Sequence, residues 1–296
     1  MQIIPKARII SHFSPDDPHA YRVADGETFW VEMDDCYGGQ LKDETVMRSD
    51  IDPAGIDCAV GPIEVAGAQP GDTLRVEVQS IELADHGVMP TGVGLGFLGD
   101  RITAPDTKII PIRDGFALFA PDIRLPLTPM IGVIGTAPRA GAIHCAVPED
   151  HGGNLDTKLI APGCTVYLPV FVPGAGLAVA DLHACMGDGE LSGTGIEIAG
   201  RMCLRVTVYH DRPIERPVIE TADSLYFLAS RRTLEESVKV GTEDAVNFLM
   251  KKFDLNFPDA YRLMSATCDA QISEVVDDNV TIRIRVPKFD NRVRTL

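Results

Sequence analysis

The sequence predicts a mainly β body over residues 1–220 with an α+β element over 221–296 packed on it. Two observations carry that expectation. Much of the chain's 27 Gly and 21 Pro breaks the first 220 residues into short apolar segments, a rhythm that suits strands and tight turns. In the final quarter the apolar residues instead recur at three- or four-residue steps, the period of a helix.

The elements follow in chain order. Residues 73–81 (Thr-Leu-Arg-Val-Glu-Val-Gln-Ser-Ile) alternate apolar and polar after a Pro70-Gly71-Asp72 turn, as a half-buried strand leaving a turn should. The string Gly92-Val-Gly-Leu-Gly-Phe-Leu-Gly lacks dinucleotide-binding spacing and a following βαβ pattern, so it reads as a flexible or close-packed loop. Residues 165–172 and 177–180 are more continuously apolar, consistent with interior strands covered on both faces, and Pro169 suggests an edge or a bulge. Residues 203–209 repeat the alternating pattern. Leu234, Val238, Ala245, Phe248, Leu249 and Phe253 then mark one or two amphipathic helices broken near Gly241, with Thr242 opening the second part. A further helix is expected from near Pro258, with Ala260, Leu263 and Met264 turned to the core, and residues 280–286 alternate as a last strand.

Composition narrows the function classes. At 296 residues and 45% hydrophobic content the chain can bury one large core or two modest ones. A net charge of −16 disfavours nucleic acid, whose binding draws on clustered Lys and Arg. No stretch approaches the ~20 apolar residues of a spanning helix, so no membrane partner is expected. Seven cysteines without a Cys-x-x-Cys pair fit neither a disulfide framework nor a zinc ribbon. The N-terminus shows no charged leader ahead of a long apolar run, which makes the cytoplasm the expected compartment.

The chemistry concentrates in Ala180-Asp181-Leu182-His183-Ala184-Cys185-Met186-Gly187-Asp188-Gly189-Glu190. Strand alternation puts Asp181 and His183 on one face, and the Gly-Asp-Gly turn can fold Glu190 back beside them. Such a group could hold a divalent metal or position an acid/base pair, and carboxylates with a neutral imidazole are a normal ligand set for zinc. Glu32 and Asp34, two apart in an expected strand, form a second pair sharing a face; a solvated acidic edge is the alternative. In His151-Gly-Gly-Asn154-Leu-Asp156 the glycines allow close backbone approach to a ligand, while a tight loop capped by Asx side chains is the plainer account. Serine-elbow, phosphate-loop and His-Glu-x-x-His motifs are absent. Cys164 and Cys185 read as bystanders, since a reactive thiolate needs an electropositive setting.

Residues 30–40 (Trp-Val-Glu-Met-Asp-Asp-Cys-Tyr-Gly-Gly-Gln), 61–72, 151–158 and 181–190 resemble the acetamidase/formamidase family in order and spacing, as do 129–138 and 168–175, over nearly the full chain. The resemblance implies a β-barrel-like scaffold of meander subdomains and hydrolysis of a small carboxamide to carboxylate and ammonia, with a metal site suspected in some members. Where the family commonly shows Gly-Asp-x-His-Ala-x-Gln-Gly-Asp-Gly-Glu, this chain has Ala180 and Met186. A thioether cannot orient an amide by strong hydrogen bonds, so Met186 is expected to alter the pocket or its substrate preference.

Amide hydrolysis needs an activated water, a stabilised oxyanion and a protonated leaving nitrogen. The expected assignment has Asp34, Asp181 and His183 holding a divalent cation, zinc as the first candidate, and Glu190 carrying the proton. Glu32 could replace a ligand or the base, and Gln40, Asn154 and Asp156 could orient the amide. A homo-oligomer is expected from base rates and the family resemblance. A lactam hydrolase, or a non-catalytic β-barrel that binds a small molecule or metal, are the competing readings.

Overall fold

A computed structural model describes residues 1–296. The body is mainly strands, with two helices near the C-terminus, and the main sheet curves as a half-barrel. In that nine-stranded sheet, Gly200–Tyr209 lies between Thr28–Met33 and Thr73–Leu83. Beyond Thr73–Leu83 come Thr165–Pro169, Val218–Glu220, Ser224–Arg231, Val280–Pro287 and Asp269–Glu274, so the sheet runs unbroken into the C-terminal element. Pro169 is the last residue of its strand: it still faces Thr73 on one side, but pairing with Val218–Glu220 ends at Tyr167, so the proline stands at a local edge, as expected.

A six-stranded sheet holds Leu177–His183 at its centre, buried along its whole length between Met130–Gly135 and Ala59–Val65. A four-stranded meander runs His86–Thr91, Asp106–Arg113, Phe116–Ala120 and Ile123–Pro126. The main core fills the space between sheets with Phe29, Val31, Leu74, Val76, Ile131, Ile134, Leu177 and Val179, each almost fully shielded from water. In the loop 92–99, the Phe97 N–H donates to the Leu191 carbonyl, tying it to the turn that carries Glu190.

Helix α1, Leu234–Phe253, is capped by the Thr233 hydroxyl, which accepts from the Glu236 N–H. It runs straight through Gly241, correcting the expected break and the fresh start at Thr242. A Cβ at Gly241 would come 2.9 Å from Ile282 Cδ1 and 3.1 Å from Ile284 Cγ1. The glycine serves close packing of helix on sheet. Helix α2, Phe257–Thr267, begins with Pro258 in its first turn and Asn256 as cap. Neither helix is long and apolar enough to cross a membrane.

Candidate active site

The strand Leu177–His183 delivers Asp181 and His183 to one cavity, as alternation requires, with Asp181 in the left-handed region at φ 60°. The turn that follows brings Glu190 back, itself at φ 47°. Around His183 Nε2 stand Glu197 Oε2 at 3.0 Å, Asp181 Oδ1 at 3.3 Å, Asp156 Oδ1 at 3.8 Å and Glu190 Oε1 at 4.0 Å, all five side chains buried. The cavity, about 460 Å³, is also lined by Cys36, Tyr37, Asp57, Asn154 and Asp277.

So many acids in one dry space cannot all be ionised independently. Burial raises Asp156 well above the usual carboxylate range, with Glu190 and Asp181 adding repulsion and His183 opposing. Burial likewise pushes Glu190 up to about 8 and Glu197 up to about 7, against the pull of His183. At Asp181 burial is outweighed by His183 and its other polar neighbours, and the group is held below its ordinary value. Burial lowers His183, but Glu197 and Asp181 more than reverse it and the imidazole is raised well above its ordinary value.

Several buried polar atoms here make no hydrogen bond, although Asp181 Oδ1 and Glu197 Oε2 lie in ion-pair range of His183: Asp156 Oδ1, Asp181 Oδ1, Glu197 Oε2, His183 Nδ1 and Asn154 Oδ1. Unpaired buried donors and acceptors are costly and mark a place where a ligand or ion supplies the missing partner. Asp156, His183 and Glu190 offer ligand atoms within 4.8 Å of one another, as do Cys36, Asp181 and Glu197. Mixed oxygen and nitrogen donors with that many carboxyl groups, which an ion would help to ionise, fit a divalent cation such as zinc.

Of the residues expected from sequence, Asp156, Asp181, Glu190 and Asn154 line this cavity, and His183 stands behind the three acids within 4.0 Å of each. Three others lie elsewhere. Glu32 lies on the outward side of Thr28–Met33, where Phe29, Val31 and Met33 take the buried face and Glu32 sits across from Arg201. Asp34 shares that outward side and is ion-paired with Lys6 at the surface. Gln40 is a clasp: its Oε1 accepts from the Asp52 N–H and its Nε2 donates to the Tyr37 and Asp52 carbonyls. Met186 lines an adjoining apolar groove with Met89, Phe119 and Leu125; Glu190 lines both that groove and the acid cavity, whereas Met186 does not line the cavity.

Glu197, Asp57, Cys36 and Asp277 are site residues that the sequence reading passed over. Glu197 is held by hydrogen bonds to its Oε1 from Thr194 Oγ1 and the Gly195 N–H, both 2.8 Å. Asp277 accepts from Asn154 Nδ2 at 3.0 Å, so the C-terminal element contributes to the cavity wall. Burial pushes Asp57 up to about 7 and raises the Cys36 thiol well above its ordinary value, with Glu197 and Asp181 adding to the effect on Cys36. Burial also pushes Cys164 up to about 12.

Comparison with known proteins gives a consistent set. The family model described as acetamidase/formamidase matches residues 5–144 and 139–290. A formamidase of Methylophilus methylotrophus is 28% identical over 263 residues, 69% of this chain and 65% of that protein. The chain thus spans just under two-thirds of that relative. The crystal structure of an acetamidase from Bacillus halodurans superposes with a TM-score of 0.94 at 38% identity, covering 96% of this chain and 97% of that one. A structure described as a predicted acetamidase/formamidase of Thermoanaerobacter tengcongensis gives 0.95 at 40% identity, covering 97% and 96%.

Proposed function

The chain belongs to the acetamidase/formamidase family, and on that premise we propose that it hydrolyses primary carboxamides to carboxylate and ammonia in the cavity around His183. The observation that carries this reading is the set of buried atoms without a hydrogen bond on Asp156, Asp181, His183 and Glu197 beside Glu190, whose carboxyl burial pushes up to about 8. Asp156, Asp181 and His183, with Glu197 behind them, are the residues that would hold a divalent cation. Such an ion would supply Lewis acidity, polarising the amide carbonyl and lowering the pKa of a water toward ~7.

The side chains divide the remaining work. The free acceptor Asn154 Oδ1 receives an N–H of the substrate carboxamide and fixes its plane, while Asp277 holds the Asn154 amide from behind. Glu190 takes the proton from water as the oxygen attacks the carbonyl carbon and delivers it to the amide nitrogen. The C–N bond then breaks and ammonia leaves. A carboxyl near 8 exchanges protons readily around neutral pH, the condition for serving as base and then acid in one cycle. Glu197 Oε2 stands 3.0 Å from His183 Nε2 and steadies the imidazole when it is protonated; as a cation ligand the imidazole would be neutral.

The test is ammonia release from formamide, acetamide and longer amides by zinc-loaded protein, before and after chelation. Release that disappears with the metal and returns on reloading is the expected result. No release from any amide at full metal occupancy would overturn the reading in favour of a binding protein.

A further inference from the structure

We propose that Arg48 forms an anion-binding subsite at the cavity mouth, and that the preferred substrate is the monoamide of a short dicarboxylic acid, its free carboxylate held by this guanidinium. The inference rests on the amide-hydrolase reading above and adds the identity of the acyl group.

Charge singles Arg48 out. Among the residues lining the cavity, Asp57, Asp156, Asp181, Glu190, Glu197, Asp277 and Asp278 are acidic, and Arg48 is the one Lys or Arg. No carboxylate lies within 4.0 Å of its guanidinium, although the protein's 43 Asp and Glu outnumber its 27 Lys and Arg. An arginine without a partner in so acidic a chain is a fork-shaped donor left free, and such a fork matches a carboxylate bidentately. Its charge is felt inside: burial raises both Asp57 and Tyr37, and Arg48 opposes part of the rise at each.

Position and size agree with the charge. Arg48 opens the short 3₁₀ turn Arg48–Asp50 on a loop that is firmly held, since Gln40 bridges Tyr37 and Asp52 and Thr107 Oγ1 donates to the Val46 carbonyl. The buried carboxylates lie deep, whereas Arg48 is exposed at the rim. The wall also carries the apolar side chains of Ile56, Leu95, Val147 and Val276, with His144 among them. Acetamide, at roughly the volume of three or four waters or about 100 Å³, leaves most of a cavity of about 460 Å³ empty. A four-carbon acyl group with an amide at one end and a carboxylate at the other uses the polar floor, the apolar wall and the cationic rim together.

The test compares succinamate with butyramide as substrates, and succinate with butyrate as ligands in calorimetry, using zinc-loaded protein. Native protein is expected to favour the anionic member by about tenfold or more in both kcat/KM and affinity. Arg48→Gln should collapse both ratios to near unity, Arg48→Lys should retain part of each, and Arg48→Glu should invert them. Equal binding of succinate and butyrate by native protein, or a ratio that survives in Arg48→Gln, overturns the subsite. If no amide is cleaved yet succinate binding depends on Arg48, the hydrolase reading fails and the subsite stands; if amides are cleaved with no preference that depends on Arg48, the subsite fails and the hydrolase reading stands.

Discussion

Gly132 faces Asp181 across two central strands, between the pairs Ile131–Leu182 and Val133–Ala180, and leaves the space that the Asp181 and Asp156 carboxylates occupy. A Cβ there would overlap Asp181 Oδ2 and stand 2.5 Å from Asp156 Oδ1. Gly132→Ala is therefore expected to push both acids off position. Overpacking of this kind costs about 1–3 kcal/mol, so the protein should still fold, while a misplacement near 1 Å costs roughly 10²-fold in rate. Zinc per chain and ammonia release, measured on the same folded sample, should fall together; unchanged values for both would show that the two carboxylates do not need this gap.

Glu190→Gln removes the proposed proton carrier and keeps the shape. The expected loss in kcat is about 10²- to 10⁴-fold, the usual contribution of a positioned acid/base. Zinc content should stay close to native, because Asp156, Asp181 and His183 remain. A native rate constant in the zinc-loaded variant would show that another group moves the proton.

What the sequence made legible was local. Asp181 and His183 share a face through strand alternation, and glycines on either side of Asp188 are enough to suggest that Glu190 returns to them. Alternation also put Glu32 and Asp34 together, but it does not say which face is inward. The apolar set Phe29, Val31 and Met33 claims the core, while Glu32 between them goes outward and Asp34 just beyond pairs with Lys6 at the surface. Glu197, Asp57 and Asp277 escaped because nothing local distinguishes them from surface acids. Each is a site residue only because distant segments enclose it, Glu197 through the bridge that joins its backbone to His183. Gly241 was misread for the same reason: local propensity favours a break, and its tertiary contact with Ile282 and Ile284 decides otherwise.

His151 gives a pH dependence of stability with a definite sign. It is 1% exposed, packs edge-on against Phe13, and neither ring nitrogen has a partner. Burial pushes it down to about 4 from 6.5, with Asp150 opposing weakly. Above pH 6.5 the imidazole is neutral in both folded and unfolded chains and nothing is lost. As pH falls, the unfolded chain takes up a proton that the folded one refuses, so stability is lost from about 6.5 down through 4, by about 3 kcal/mol in all. Urea midpoints between pH 7 and 4 should drop more steeply for native protein than for His151→Phe, and equal slopes would remove His151 as the source.

Gly241→Leu tests the packing of α1 on the sheet. The change improves helix propensity by about 1 kcal/mol, yet the side chain has no room between Ile282 and Ile284. The steric cost of overpacking, about 1–3 kcal/mol or more, should win. A lower urea midpoint with an unchanged m-value is expected, and a higher midpoint would mean that the helix can lift away without loss.

Asp188 separates holding the catalytic turn from doing its chemistry. Its Oδ2 accepts from Arg283 Nη2 at 2.8 Å and pairs with Lys158 at 2.9 Å, and Arg283 is itself 2% exposed and bonded to the Ile272 carbonyl. The neighbouring Gly189 N–H donates to the Ser273 carbonyl, so the turn is fastened to the C-terminal strand just ahead of Glu190. Burial works against ionisation of Asp188, but Arg283 and Lys158 outweigh it and hold the carboxyl below its ordinary value. Asp188→Asn keeps the volume and weakens both ion pairs, leaving Arg283 under-compensated. Since Asp188 neither pairs with His183 nor lines the acid cavity, its zinc content and substrate KM should stay near native while kcat falls about tenfold as Glu190 loses its fixed position. Asp188→Glu, which restores the charge, should recover part of the loss. A drop in zinc content equal to the drop in kcat would instead make Asp188 part of the metal site.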